Sequence, residues 1–383
     1  MSEALTPPYR PRLEKRLVPS RTARVLVRIG AVLAAFAVGA VFLTLTGRSV
    51  APVYSAMWKG SFGTAYGMAQ TLLAAIPLTF TGLAVAVAFR MRLWNIGAEG
   101  QFYLGAFGAT AVAYAWPDLP ATVLLPLMVL GGMAGGALWG AGPGALRAFL
   151  GVNEIVPTLL LNYVAILWID YMVHTVWRDP ASLGFPLGRP FSEAATLPLL
   201  GDTAVHAGAF IAGLAAVVIW LVLRGTTWGY KVQVMGENAR AAEYAGFSIR
   251  RTIVAVMLLS GALAGIGGMV EVSGTVGRIQ ADISPGFGYT GIIIATLARF
   301  SPLVVVVVAL LFGALIVGGL ELQTVGLPSD IVLMLQGVIL FFALAGELFV
   351  AYRVRWRGAP PSQATPAGHE PAARAEPSAI ETG

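Results

Sequence analysis

The chain has 383 residues, of which 57% are apolar and only 11% charged, with a mean hydropathy of +0.76. A soluble domain carries about 25% charged residues, so this composition excludes a protein wetted on every side and makes lipid its solvent. The net charge of +6 rests on basic residues too scattered for a nucleic-acid partner, and no cysteine with only His174, His206 and His369 leaves no disulfide, thiolate or metal site to expect.

Residues 1–24 form a polar, basic cytoplasmic arm ahead of an apolar run at 25–46. That run is long enough to span a bilayer, so it reads as a retained first helix rather than the short apolar core of a cleaved signal peptide. Further spans are expected at 67–89, 100–116, 121–140, 155–177, 205–223, 252–272, 289–299, 303–319 and 331–350. The fold class is therefore all-α, a polytopic transmembrane helical bundle of about ten spans. The run at 289–299 is too short to cross alone and reads as a half-helix or as part of a helical hairpin.

Lysine and arginine concentrate in cytoplasmic loops. With the N-terminus inside, only Arg48, Lys59, Arg178, Arg189 and Arg278 fall outside, and every other Lys and Arg falls inside. Both termini are then cytoplasmic, in a multi-pass protein of the cell (inner or plasma) membrane. The transmembrane domain is expected over 25–352.

After the second span comes Trp94-Asn95-Ile96-Gly97-Ala98-Glu99-Gly100-Gln101. A carboxylate beside a span costs several kcal/mol unless paired or wetted. Two roles fit Asn95, Glu99 and Gln101: lining an aqueous path, where amides meet solute hydroxyls, or capping a broken helix. The same two roles fit Asn153, Glu154 and Asn162 around the start of the fifth span. Asp170, deep in that span between Trp168 and Tyr171, could line the path or make an interhelical hydrogen bond.

The outer segment 178–204 carries four prolines and is expected to form an ordered cap or short helix over the outer face. The inside loop at 225–251 contains Gly236-Glu237-Asn238-Ala239-Arg240-Ala241, ending in Ala245-Gly246. Asn238 suits an N-cap and Gly246 a left-handed C′ position, which predicts a helix of two turns outside the membrane. A second Gly-interrupted stretch, Ser284 to Gly291, echoes the one at 94–100 on the opposite side of the membrane. Such pairs mark inverted repeats with broken helices, so two pseudo-symmetric inverted halves are expected. The tail at 353–383, rich in Pro, Ala, Ser and Glu, is expected to be disordered.

The loop at 225–251, with Ser260-Gly261-Ala262-Leu263-Ala264-Gly265-Ile266-Gly267-Gly268 after it, resembles the coupling loop and small-residue helix of ABC importer permeases. Asn95-Ile96-Gly97-Ala98-Glu99-Gly100-Gln101 and Asn153-Glu154-Ile155-Val156-Pro157-Thr158 through Asn162-Tyr163 resemble the nucleoside-type branch of the permeases that also serve simple sugars and branched-chain amino acids. The resemblance covers roughly residues 67–350. Pro157 departs from the family pattern of a β-branched residue followed by Ser or Thr.

The resemblance implies a non-catalytic permease subunit with Gly236, Glu237, Asn238, Arg240, Ala241 and Gly246 coupling to a separate ATPase. That partner would use ATP, because this chain has no phosphate-binding G-x-x-x-x-G-K-[ST] motif and is expected to bind no cofactor. An extracytoplasmic solute-binding protein, a second related permease subunit in a heterodimer, and membrane lipid complete the expected partners. The solute is expected to be a nucleoside, with a ribose-like sugar or a branched-chain amino acid as alternatives. An ion-coupled secondary transporter, whose intramembrane carboxylates would carry protons or sodium, shares the hydropathy profile.

Overall fold

The computed structural model of the protein describes residues 10–15, 21–327 and 330–357. The chain divides into two compact units, one of residues 28–344 and one of residues 1–27 with 345–383. In the second unit, β1 (Arg10–Lys15) pairs antiparallel with β2 (Tyr352–Arg357), Arg10 opposite Arg357 and Lys15 opposite Tyr352. This two-stranded ribbon was expected neither from the arm nor from the tail. Its signal is the period-two alternation of Tyr352, Val354 and Trp356 with arginines, which a reading for charge alone passes over. The rest of the tail, 358–383, lies outside the described residues.

Thirteen α-helices are described. They are α1 (Arg21–Leu45), α2 (Val50–Phe62), α3 (Ala65–Arg90), α4 (Ala98–Ala115), α5 (Ala121–Leu150), α6 (Ile155–His174) and α7 (Gly208–Gly225). They continue with α8 (Thr227–Glu237), α9 (Ala239–Tyr244), α10 (Ile249–Val270), α11 (Phe287–Leu297), α12 (Pro302–Glu321) and α13 (Asp330–Ala351). Among the described residues six helices are long and apolar enough to cross a membrane: α3, α5, α6, α7, α12, and α10 with its extension to Val276. Each expected span holds a helix, and α11 is the anticipated short one. Helix α2 was not foreseen, because its thirteen residues include Pro52, Lys59 and Gly60.

Sequence chemistry sets the helix ends. Thr64 caps α3 by accepting from the Gly67 N–H at 3.0 Å. Gly151, at φ 68°, closes α5 in the left-handed conformation that glycine adopts without penalty. Pro302 begins α12, where a missing N–H costs nothing.

Helix α3 is buried along most of its length. Beside it, α4, α5 and α10 meet along a seam of glycines. A side chain at Gly265 of α10 would collide with the Gly132 carbonyl of α5, and one at Gly268 with the Phe102 carbonyl of α4. Backbones this close leave room only for hydrogen, the small-residue packing that membrane helices use where lipid offers no hydrophobic drive.

Helix α10 runs into a π-helical stretch, Glu271–Val276, that ends at Gly277 with φ 72°. The segment 178–204 folds over it as an ordered cap. Leu197 N–H donates to the Ser273 carbonyl at 2.9 Å and Phe191 N–H to that of Gly277 at 2.9 Å. His206, 1% exposed, accepts at Nδ1 from the Gly208 N–H at 3.1 Å, so its Nε2 carries the proton and faces Thr275 Oγ1 at 3.4 Å. The Thr275 hydroxyl in turn donates to Glu271 Oε2 at 3.3 Å.

Candidate functional site: two converging helix starts

The stretch between α3 and α4 turns sharply, with Arg92 at φ 55°, and delivers the buried Asn95 to the middle of α10. Asn95 Nδ2 donates to Ser260 Oγ at 2.8 Å and to Gln101 Oε1 at 2.7 Å. Its Oδ1 accepts from Gln101 Nε2 at 3.0 Å and from the Gly97 N–H at 3.1 Å. A side-chain amide has two donors and one two-lone-pair acceptor, so Asn95 is saturated within the chain. Ser260 passes the network on, donating to the Ala84 carbonyl of α3 at 2.6 Å.

Asn162 of α6 spends both of its donors and one of its two acceptor lone pairs. Its Oδ1 accepts from the Gly100 N–H at 2.8 Å, and its Nδ2 donates to the Ile96 carbonyl at 2.9 Å and to the Tyr289 hydroxyl at 3.2 Å. One amide thus holds the start of α4 and touches the start of α11.

Those two starts meet. Glu99, 2% exposed in the first turn of α4, accepts at Oε2 from the Gly288 N–H at 2.6 Å, and the Ser284 hydroxyl also hydrogen-bonds it. Ser284 Oγ accepts from the N–H groups of Gly286 and Phe287. The orphan donors of the α11 N-terminus are therefore met by a hydroxyl and a carboxylate, the charge that a helix N-terminus favours. Gly288 packs directly on the Ala98–Glu99 backbone, where a side chain would collide with Glu99 N. The two glycine-interrupted stretches that echo each other in sequence are thus in contact at their helix N-termini.

Glu154, 4% exposed, ties the same region to the α5–α6 turn. It accepts from the Trp94 N–H at 3.0 Å and pairs with Arg147 Nε at 3.4 Å. Two expected residues stand apart. Asn153 is exposed and accepts from the Ile155 N–H at 3.1 Å, a helix-start contact. Asp170 lies in the last turns of α6, half-exposed and 3.3 Å from His174 Nδ1, rather than deep within a span. Ser260, Ser284, Tyr289 and Arg147 complete the network. Of these, Ser260, Ser284 and Tyr289 stood in stretches already singled out for their glycines, while only three-dimensional proximity reveals Arg147.

Beyond the bundle, Asn238 Oδ1 accepts from the Ala241 N–H at 3.1 Å and Gly246 takes φ 78°, so α9 has both expected caps. The stretch before it is not loop but α8, capped by Thr226 on the Gly229 N–H at 3.1 Å. Gly236 is buried, and a side chain there would strike the Arg90 carbonyl at the end of α3. Glu237 accepts from Gln233 Nε2 at 3.0 Å. Arg240, Ala241 and Glu243 are exposed, and Tyr244 is 94% exposed. Among the described residues no group of three metal-ligating side chains comes together.

Comparison with known proteins places this geometry. Residues 67–344 match the model of the branched-chain amino acid transport system permease component. The chain is 38% identical over 361 residues to the glucose ABC transporter permease protein TsgB13 of Haloferax volcanii, covering 89% of this chain and 94% of that one. It is 35% identical over 350 residues to the guanosine ABC transporter permease protein NupP of Bacillus subtilis, covering 88% and 99%. Identity is 32% over 333 residues with the nucleoside ABC transporter permease protein NupB of Lactococcus lactis, covering 84% and 91%. The converging broken helices, the capped exposed helix and these matches lead to one assignment: the chain belongs to the branched-chain amino acid transport system permease family and is a multi-pass ABC transporter permease subunit.

Proposed function

We propose that this permease forms half of the path by which an ABC importer takes up a neutral, hydroxyl-bearing solute, a nucleoside before a simple sugar. The observation that carries the coupling is α9. A short helix capped at both ends, exposed and presenting Tyr244 and Arg240, sits between two spans, α7 and α10, and suits a socket on a separate ATPase. That ATPase binds and hydrolyses the ATP, and this chain binds no cofactor of its own. A second, related permease completes the path, and an extracytoplasmic solute-binding protein delivers the solute to the cap formed by 178–204. Both termini and α9 lie on the cytoplasmic side, in keeping with the Lys and Arg distribution.

Guanosine and nucleoside permeases among the relatives support the nucleoside reading, and the glucose permease keeps a simple sugar beside it. Force from ATP-driven closure enters at α9 and passes into α10, whose glycine seam lets α4 and α5 shift as backbone against backbone. Helices α4 and α11, joined at Glu99 and Gly288, then rearrange between outward and inward openings. The internally bonded amides Asn95 and Asn162 brace these broken helices in this scheme.

The test is uptake of labelled guanosine, adenosine and glucose by cells with and without the chain. Loss of nucleoside uptake on deletion, with leucine failing to compete, is the expected result. Unchanged nucleoside and sugar uptake overturns it.

A further inference from the structure

A cavity of about 210 Å³ opens beside α11, between it and the starts of α13 and the end of α12. Its lining includes Pro285, Phe287, Thr290, Asp330 and Gln336. Gln336 is 4% exposed and lies within the apolar run Leu333–Phe342 of α13. Its Oε1 accepts from the Thr290 hydroxyl at 3.0 Å, while its Nε2 donates to nothing among the described residues. An amide inside an apolar span is costly unless it meets polar partners, and such groups face a polar cavity or a functional path.

The rest of the lining defines what those donors meet. Asp330, in the first turn of α13, offers a carboxylate with no ion pair among the described residues. Among the described residues no cationic side chain lines the cavity, so the carboxylate of an amino acid or a phosphate finds no counter-charge from them. Phe287 and Pro285 supply apolar surface of the kind that covers the C–H face of a sugar ring. The volume falls below the ~300–1,000 Å³ of pockets that enclose a whole ligand, and it suits one ring.

We propose that this cavity is a subsite for the hydroxyl-bearing ring of a neutral solute, with Gln336 Nε2 donating to a ring hydroxyl and Asp330 accepting from another. The Thr290 hydroxyl fixes the Gln336 amide in orientation. The proposal rests on the importer reading above and narrows it, since it assigns recognition of the sugar ring to residues of the membrane subunit itself. It also separates nucleosides and sugars, which carry vicinal hydroxyls, from branched-chain amino acids, which do not.

The experiment compares uptake of guanosine and of 2′,3′-dideoxyguanosine by cells whose own copy is replaced by the full chain, unaltered or as Gln336→Leu, Gln336→Glu or Thr290→Val. Membrane abundance is measured for each. Gln336→Leu, close in volume, is expected to raise the half-saturating guanosine concentration about tenfold while leaving the dideoxy solute unaffected, so that the preference between them collapses. Thr290→Val is expected to give a smaller change in the same sense. If the preference for guanosine survives in Gln336→Leu and in Gln336→Glu, the subsite is overturned while the importer reading stands. If the unaltered chain supports uptake of no nucleoside or sugar, both fall together.

Discussion

Glu99 Oε2 and the Gly288 N–H lie 2.6 Å apart, joining the first turn of α4 to the first turn of α11 across 189 residues of sequence. Two helices that each begin inside the protein are thereby locked start to start. Leaving a buried donor without its acceptor costs about 1–3 kcal/mol. Glu99→Ala is expected to lower the stability of the detergent-solubilised protein by about 2 kcal/mol, because it strands the buried Gly288 donor. Glu99→Gln keeps an acceptor and is expected to lose less. Tryptophan-fluorescence unfolding measures both, and equal stability of all three proteins would show that the contact holds nothing together.

Asn95 separates a bracing role from a solute-binding one. All its hydrogen-bonding capacity is spent on Gln101, Ser260 and Gly97. Asn95→Asp replaces two donated bonds with a buried acceptor facing Gln101 Oε1 and Ser260 Oγ, at an expected cost of about 3 kcal/mol. Stability and abundance should fall together, with the half-saturating solute concentration of the surviving protein unchanged. A stable Asn95→Asp protein with a shifted half-saturating concentration would place Asn95 in contact with solute instead.

The glycine seam predicts a sharp contrast between two alanine substitutions. Gly265→Ala drives a methyl into the Gly132 carbonyl and is expected to cost about 2–3 kcal/mol of overpacking. Gly142→Ala, in α5 with open space around it, is expected to gain about 0.5–1 kcal/mol from helix propensity. Thermal unfolding of the two purified variants decides, and similar midpoints would show that the seam tolerates side chains.

On α9, stability and coupling should come apart. Tyr244→Ala and Arg240→Glu change exposed side chains and are expected to alter stability by no more than about 0.5 kcal/mol. Both are expected to abolish solute-stimulated ATP hydrolysis in the assembled transporter. Asn238→Ala removes the cap and should cost about 1 kcal/mol as well. Unimpaired ATP hydrolysis and uptake in the two exposed-face variants would remove α9 from the coupling path.

Burial pushes the His206 imidazole down to about 4. Because the folded value lies below the unfolded one near 6.5, both states are neutral above pH 6.5 and no stability is at stake there. As pH falls from about 6.5 to about 4, only the unfolded state takes up the proton, so stability falls across that window and levels off below it. Protonation of Nδ1 would also break its bond from the Gly208 N–H. His206→Asn, which keeps an acceptor near that position, is expected to flatten the loss between pH 7 and pH 5. An identical pH profile in the variant would assign the loss elsewhere.

Hydropathy by itself determined that the chain lives in lipid and located a helix in every expected span, because a helix in a bilayer must satisfy its own backbone and show about 20 apolar residues. Local capping chemistry was equally legible: Asn238 and Gly246 bound α9 through contacts only a few residues apart. Helix α2 and the β1–β2 ribbon were not, since a thirteen-residue helix carrying Lys59 and a strand alternating with arginine both fall below a ruler built for spans. The fates of the polar residues belonged to the tertiary structure alone. Nothing in the sequence near Asn95 or Asn162 tells a lining amide from a bracing one. The distinction depends on whether Ser260, Gly100 and Tyr289, between 62 and 165 residues away, arrive to use their donors and acceptors. Gln336 went unremarked for the same reason, because an amide in an apolar run acquires meaning only when Thr290 takes one end of it and a cavity receives the other.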